Sequence, residues 1–104
     1  MMDVTQVPQL RMVAGAPFSQ VWQYLNDDDT PIDLSAWSAT IAFKRGTDPI
    51  STHTLQTDAQ GNITLSLSDS AVAALIGAPI TFQITLTPPI PELTEYWRGG
   101  VVVL

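Results

Sequence analysis

Alternation of apolar and polar residues with period two constrains this chain more than any other feature. It is cleanest where Trp37, Ala39, Ile41 and Phe43 interleave with Ser38, Thr40, Ala42 and Lys44. Successive side chains of a strand point to opposite faces of a sheet, so the pattern predicts strands with one dry face and one wet face. The same period recurs at Ile63-Leu65-Leu67, and at Ile80-Phe82-Ile84-Leu86 against Thr81, Gln83 and Thr85. A chain patterned this way is expected to be all-β, a sandwich or small barrel of seven or eight mostly antiparallel strands, with the sandwich preferred.

The order of elements follows from the punctuation. Residues 1–8 read as an N-terminal arm containing Pro8, Gln9 to Val13 as a first strand, and Ala14-Gly15-Ala16-Pro17 as a turn. Phe18 to Asn26 reads as a long strand with Phe18, Trp22 and Tyr24 on one side and Val21 and Leu25 on the other. Apolar residues on both faces call for a central place in a sheet or a partner over the second face. Asp27-Asp28-Asp29-Thr30-Pro31 makes a tight reversal, because Asp bonds its own backbone and Pro presets φ. Ile50 to Thr57 resembles a polar edge strand, and Asp58 to Asn62 supplies the turn into Ile63. One short helical turn is expected over about 69–76: Ser68 or Asp69 can cap it, Val72, Leu75 and Ile76 sit at helical spacing, and Gly77 can end it. So short a helix cannot stand alone and must lie against the sandwich. Tyr96 to Leu104 closes the chain, with Gly99-Gly100 permitting a bulge or a close backbone approach.

With 104 residues the chain is read as one domain over 1–104. Four basic and ten acidic residues give a formal net charge of −6, so a phosphate backbone or an anionic membrane would be repelled, and neither is an expected partner. Charged residues make up only 13%, against roughly 25% in ordinary soluble domains, which leaves Ser, Thr and Gln to cover the exterior. Such a surface repels neighbours weakly and suits a protein packed among others. Thr also favours strands for its own reasons, so a plain Thr-rich β-protein reads the same way. The absence of cysteine excludes disulfides, thiolate metal sites and cysteine nucleophiles. Met1 to Gln9 lacks the basic start and apolar run of a secretory signal, and no apolar stretch nears the roughly 20 residues of a membrane span. A soluble protein made in the cytosol is expected.

Constellations for chemistry are missing. His53 is the sole histidine and has no cysteine or second histidine to share a metal with. No Gly-x-Ser-x-Gly elbow is present. Asp27, Asp28, Asp29 and Asp33 offer oxygen ligands, but their spacing does not fit an Asp-x-Asp-x-Asp-Gly calcium loop, and an acidic hairpin is the simpler reading. Glycoside hydrolysis needs one carboxylic acid in an apolar pocket, whereas nearly all the acids here sit in turn-like segments. No enzymatic activity, catalytic residue, metal or cofactor is expected.

The aromatics Trp22, Tyr24, Trp37, Phe43 and Phe82 fall at strand period and read as core. Tyr96 and Trp97 are adjacent, so in an extended strand one of them faces away from the core. An outward Trp97 would stack on a sugar or anchor a protein neighbour; alternatively it lies over the Pro88 to Pro91 loop.

The series Val21-Trp22-Gln23-Tyr24-Leu25-Asn26-Asp27-Asp28, then Thr30-Pro31-Ile32-Asp33-Leu34-Ser35-Ala36-Trp37, is similar in order to a family of bacteriophage and prophage virion proteins. The likeness continues through Ile63-Thr64-Leu65-Ser66-Leu67-Ser68, the Ala71 to Leu75 turn and Arg98-Gly99-Gly100-Val101-Val102-Val103, covering about 18–103. These proteins carry a small immunoglobulin-like β-sandwich related in pattern to upper-baseplate N-terminal domains. Thr30 and Ala36 stand where that pattern has glycines, and Gln83-Ile84 where it has Tyr-Asp.

What the resemblance implies is an immunoglobulin-like sandwich serving as a virion structural protein, either a capsid accessory (decoration or cement) protein or a tail or baseplate component. Its partners would be other virion proteins, the major capsid or tail proteins, with many copies or a homo-oligomer on a symmetric assembly. The candidate interaction residues are Val4, Val7 and Pro8 in the arm, Asp27, Asp28 and Asp29 in the hairpin, Pro89 and Ile90 in the proline loop, and Trp97. A carbohydrate-binding host-adhesion module using Trp97 or the loops around it is the competing expectation.

Overall fold

The computed structural model describes residues 4–7, 9–77, 79–90 and 93–104. At its centre, β4 (Ser38–Arg45) and β8 (Ile80–Thr87) pair antiparallel along their whole length, Ser38 opposite Thr87 and Arg45 opposite Ile80. These are the two longest alternating runs in the sequence. Their odd and even members separate as the pleat requires: Ala39, Ile41, Phe43, Ile80, Phe82, Ile84 and Leu86 are buried, while Thr40, Lys44 and Thr81 are exposed. Around them the larger sheet runs β1 (Val4–Gln6), β9 (Glu95–Val103), β8, β4, β5 (Asp48–Thr54), with β2 (Leu10–Met12) also on β9. The smaller sheet runs β3 (Phe18–Gln23), β7 (Asn62–Leu67), β6 (Gln56–Thr57).

This strand order, with two sheets sharing one apolar interior, is that of an immunoglobulin-like sandwich. All neighbours are antiparallel except β1 and β2, which run parallel to β9 one after the other along a single edge. Antibody domains bridge the equivalents of β3 and β8 with a disulfide. In this cysteine-free chain Trp22 on β3 meets Phe82 on β8 instead, with ring centroids 6.5 Å apart. The interior holds Met12, Leu34, Ile41, Phe43, Ile63, Leu65, Ile84 and Leu86, and among the described residues no polar side chain is buried. Each such residue contributes roughly 1.5–3 kcal/mol by leaving water.

Several expectations are refined. Residues 1–8 are not simply an arm, because Val4–Gln6 form β1 opposite Tyr96, Trp97 and Arg98. The edge strand expected over 50–57 serves both sheets. Its first part pairs with β4, Leu55 is buried and donates its N–H to the Ala39 carbonyl at 2.9 Å, and Gln56–Thr57 pair with β7. Phe18–Gln23 is not central: it forms the edge of the smaller sheet, leaving Val21 53% exposed.

The helix α1 (Asp69–Ala73) is capped by Ser68, whose hydroxyl accepts from the Ala71 N–H at 3.2 Å. Val72 and Leu75 are fully buried, whereas Ile76, expected on the same face, is 51% exposed. The helix ends at Ala73, and the tighter turn that follows, with the Leu75 N–H on the Val72 carbonyl and the Ile76 N–H on the Ala73 carbonyl, keeps Leu75 in the core and turns Ile76 outward.

Candidate interaction surface

The outward residues of β4, β8 and β9 decide what the larger sheet shows to its surroundings. Threonines dominate near the Ser38 end, where Thr40, Thr54 and Thr85 stand in one cross-strand row that continues to Tyr96. Farther along, the side chains shrink. Ala42 and Gly100 replace threonine, and the face sinks into an open trough of about 580 Å³ bordered by Lys44, Thr81, Gln83 and Arg98. Arg98 Nε donates to the Gln83 side-chain oxygen at 2.8 Å, which lays the guanidinium across the strands. Arg11, opposite Val102, extends the same face. Three of the four basic residues therefore share one side of the molecule; the fourth, Arg45, donates to the Ile76 carbonyl at 2.9 Å. Among the described residues no cation is paired with a carboxylate.

The two glycines of the trough play different parts. A Cβ on Gly99 would lie 2.7 Å from the Phe82 ring and 3.1 Å from the Val7 carbonyl, so the strand can pass there only without a side chain. A Cβ on Gly100 would meet nothing closer than the Gln9 amide at 3.8 Å. Gly100 therefore has room for a side chain at ordinary contact distances.

Carboxylates gather at the far end of the sandwich, where β3 ends and β4, β7 and β9 begin. Asp28 accepts from the backbone N–H and hydroxyl of Thr30, and Asp33 does the same for Ser35. Asp58 accepts from the Gln60 N–H, the Asn62 N–H and the Asn62 amide. These bonds favour the charged form, side-chain donors first, and hold all three carboxyls below their ordinary range. Asp29 takes a left-handed φ of 66°, which Asp tolerates better than most residues. The turns are knitted together: Leu34 N–H donates to the Asp58 carbonyl, and Gly61 packs against the Tyr24 and Ile32 backbones.

Beside them the Tyr24 hydroxyl donates to Glu95. The Tyr24 ring lies edge-on to Trp37 and to Trp97, at 6.1 and 5.4 Å between centroids. Burial, followed by the hydrogen bond and the charge of Glu95, pushes the Tyr24 phenol above its ordinary range.

The expected interaction residues divide accordingly. Asp27, Asp28 and Asp29 are exposed on the hairpin; Pro89 is exposed, and Ile90 is 57% exposed next to Leu93 at 62%. Val7 is half-buried against the core and donates its N–H to the Arg98 carbonyl at 3.0 Å. Val4 lies in β1 opposite Tyr96, and Pro8 falls outside the described residues. Trp97 must be corrected: it points inward opposite Ile84, is 8% exposed and packs on Tyr24, leaving no free ring for a sugar or a neighbour. Its outward neighbour is Tyr96. His53 is half-buried, with Nε2 3.1 Å from the Ser51 hydroxyl and its ring edge-on to Phe43. Among the described residues no three His, Cys, Asp or Glu side chains are placed to share a metal, and no helix is long and apolar enough to cross a membrane.

The edges differ in how well they are guarded. β5 carries Pro49 and a register shift opposite Phe43 and Lys44, which spoils it as a template for another strand. β3 has neither. Tyr24 N–H donates inward to the Gly61 carbonyl, so by alternation Ser19, Val21 and Gln23 present their backbone groups outward, with only the Val21 carbonyl capped, by Gln20. No charged residue occurs from Met12 to Asn26. Sequence reading missed the trough, although the alternation placed Ala42, Lys44, Thr81 and Gln83 outward; it could not tell that β9 would bring Arg98 and Gly100 beside them. Comparison with protein families, curated proteins and solved structures finds no match to this chain.

Proposed function

We propose that this chain is a non-enzymatic structural protein of a bacteriophage virion, a capsid accessory (decoration or cement) protein or a tail or baseplate component, present in many copies and docked onto other virion proteins. The observation that carries the reading is a rigid immunoglobulin-like body whose binding groups face outward: an uncharged free edge on β3 and cations without carboxylate partners among the described residues. A free strand edge offers directional backbone bonds to a neighbour. Repetition on a symmetric shell or tube then multiplies weak contacts through effective concentration. The resemblance of the ordered motifs from Val21 to Val103 to virion proteins supports the setting. Burial of Trp97 takes that ring away from a glycan-binding reading and leaves it only the loops around.

The test is the composition of particles. Virions purified from a producing strain should contain this polypeptide in multiple copies by quantitative mass spectrometry. Particles that lack it would overturn the proposal.

A further inference from the structure

We propose that the trough over Gly100 receives the acidic end of a second copy of this chain, so that copies add head to tail. The charges are sorted in a way that makes this contact self-complementary. Lys44 and Arg98 border the trough, Arg11 extends its face, and the register places no described carboxylate among the outward residues of β4, β8 and β9. Asp27, Asp28, Asp29, Asp33 and Asp58 lie on the loops at the other end of the strands, whereas the trough's end has only Asp48, opposite Arg45 off the outward face, and Asp69 in α1 among the described residues. In a chain of net charge −6, two copies repel in most orientations, and the arrangement that sets trough against acidic loops is the attractive one.

Shape agrees with charge. The same end that carries the carboxylates exposes Ile90 and Leu93, apolar side chains with water around them, while the trough floor is made of Ala42 and Gly100. A side chain can enter there because a Cβ on Gly100 would make only ordinary contacts, with the Gln9 amide at 3.8 Å and the Ile80 carbonyl at 3.9 Å. Since the two surfaces do not overlap on one molecule, every copy can use both, which makes the contact heterologous and lets it propagate into a ring or a filament according to the rotation between copies.

Sedimentation of the 104-residue chain tests this independently of any virion. Association should grow with protein concentration at about 0.01 M salt and fall away by about 1 M, as screening shortens the reach of the charges. The double variant K44E/R98E should weaken it by about tenfold or more, and so should D27K/D29K, whose carboxylates make no side-chain hydrogen bond among the described residues. Mixing the two variants should restore it, because one contact is then native and the other has its charges exchanged. Gly100→Val, which raises the trough floor while keeping every charge, should weaken association without lowering the melting temperature.

A monomer under all these conditions would overturn the proposal. So would association that is indifferent to K44E/R98E and to Gly100→Val, the result expected if copies joined through the β3 edge. Failure to find the chain in virions would leave these outcomes untouched, so the two proposals fail separately.

Discussion

The Tyr24 hydroxyl donates to the Glu95 carboxylate, joining the end of the smaller sheet's edge to the start of the larger sheet's β9. Held between Trp37 and Trp97, the phenol keeps its proton beyond the ordinary tyrosine range, chiefly because burial disfavours the phenolate and secondarily because Glu95 is close. Its folded pKa is raised, so the associated stability is intact below the unfolded value of about 10 and is lost as pH rises above it. Urea midpoints measured across alkaline pH should fall in the native chain and fall less steeply in Tyr24→Phe. At neutral pH that variant should be less stable by about 1–3 kcal/mol, since it leaves a half-buried carboxylate without its donor.

Gly99 and Gly100 should answer differently to the same substitution. Gly99→Ala forces a methyl into the Phe82 ring and should destabilise by about 1–3 kcal/mol. Gly100→Ala makes only ordinary contacts in an extended strand and should be neutral or stabilising by about 0.4–1 kcal/mol, because alanine restricts the unfolded chain. Urea unfolding of the two variants side by side checks this. Equal effects would mean that the β9 backbone is not held as close to Phe82 as described.

Acid should loosen the loops before the core. The carboxyls of Asp28, Asp33 and Asp58 are held low by hydrogen bonds from their own turns, so what they add to stability is present above the unfolded value of about 3.9 and is lost as pH falls through the lower folded values. Asp58→Ala removes the acceptor shared by Gln60 and Asn62. It should lower the melting temperature at neutral pH and narrow the gap between wild type and variant below pH about 4. A gap that stays constant with pH would speak against a charged acceptor at this turn.

The helical turn and the residues just after it bury Val72 and Leu75, as their spacing selects, but leave Ile76 outside the core. Leu75→Ala should cost about 2–5 kcal/mol, since Leu75 is fully buried. Ile76→Ala should change stability by no more than about 0.5 kcal/mol. Thermal melts of both distinguish this from a helix continuing through Ile76.

Local periodicity determined a great deal here. The pleat ties each side chain's direction to its neighbour's, so the alternations at 38–45, 62–67 and 80–87 announced three strands and their buried faces without knowledge of any partner. Turn chemistry at Asp27 to Pro31 and Asp58 to Asn62 was equally local, since those Asp side chains bond backbone within a few residues.

Tertiary structure decided what depends on which strand lies beside which. Nothing local distinguishes an edge strand with two apolar faces from a central one, so β3 was legible as a strand but not as the edge. With Tyr96 and Trp97 adjacent, the sequence required one to point out; the register of β9 on β8, placing Trp97 opposite Ile84, selected Tyr96. The trough arose in the same way. Its cations come from β4 and β9, separated by more than fifty residues in the chain and brought to one face only by β8 between them. Period two fixes the direction of a side chain, whereas proximity across a sheet is a property of the pairing, and the pairing is settled by the whole core at once.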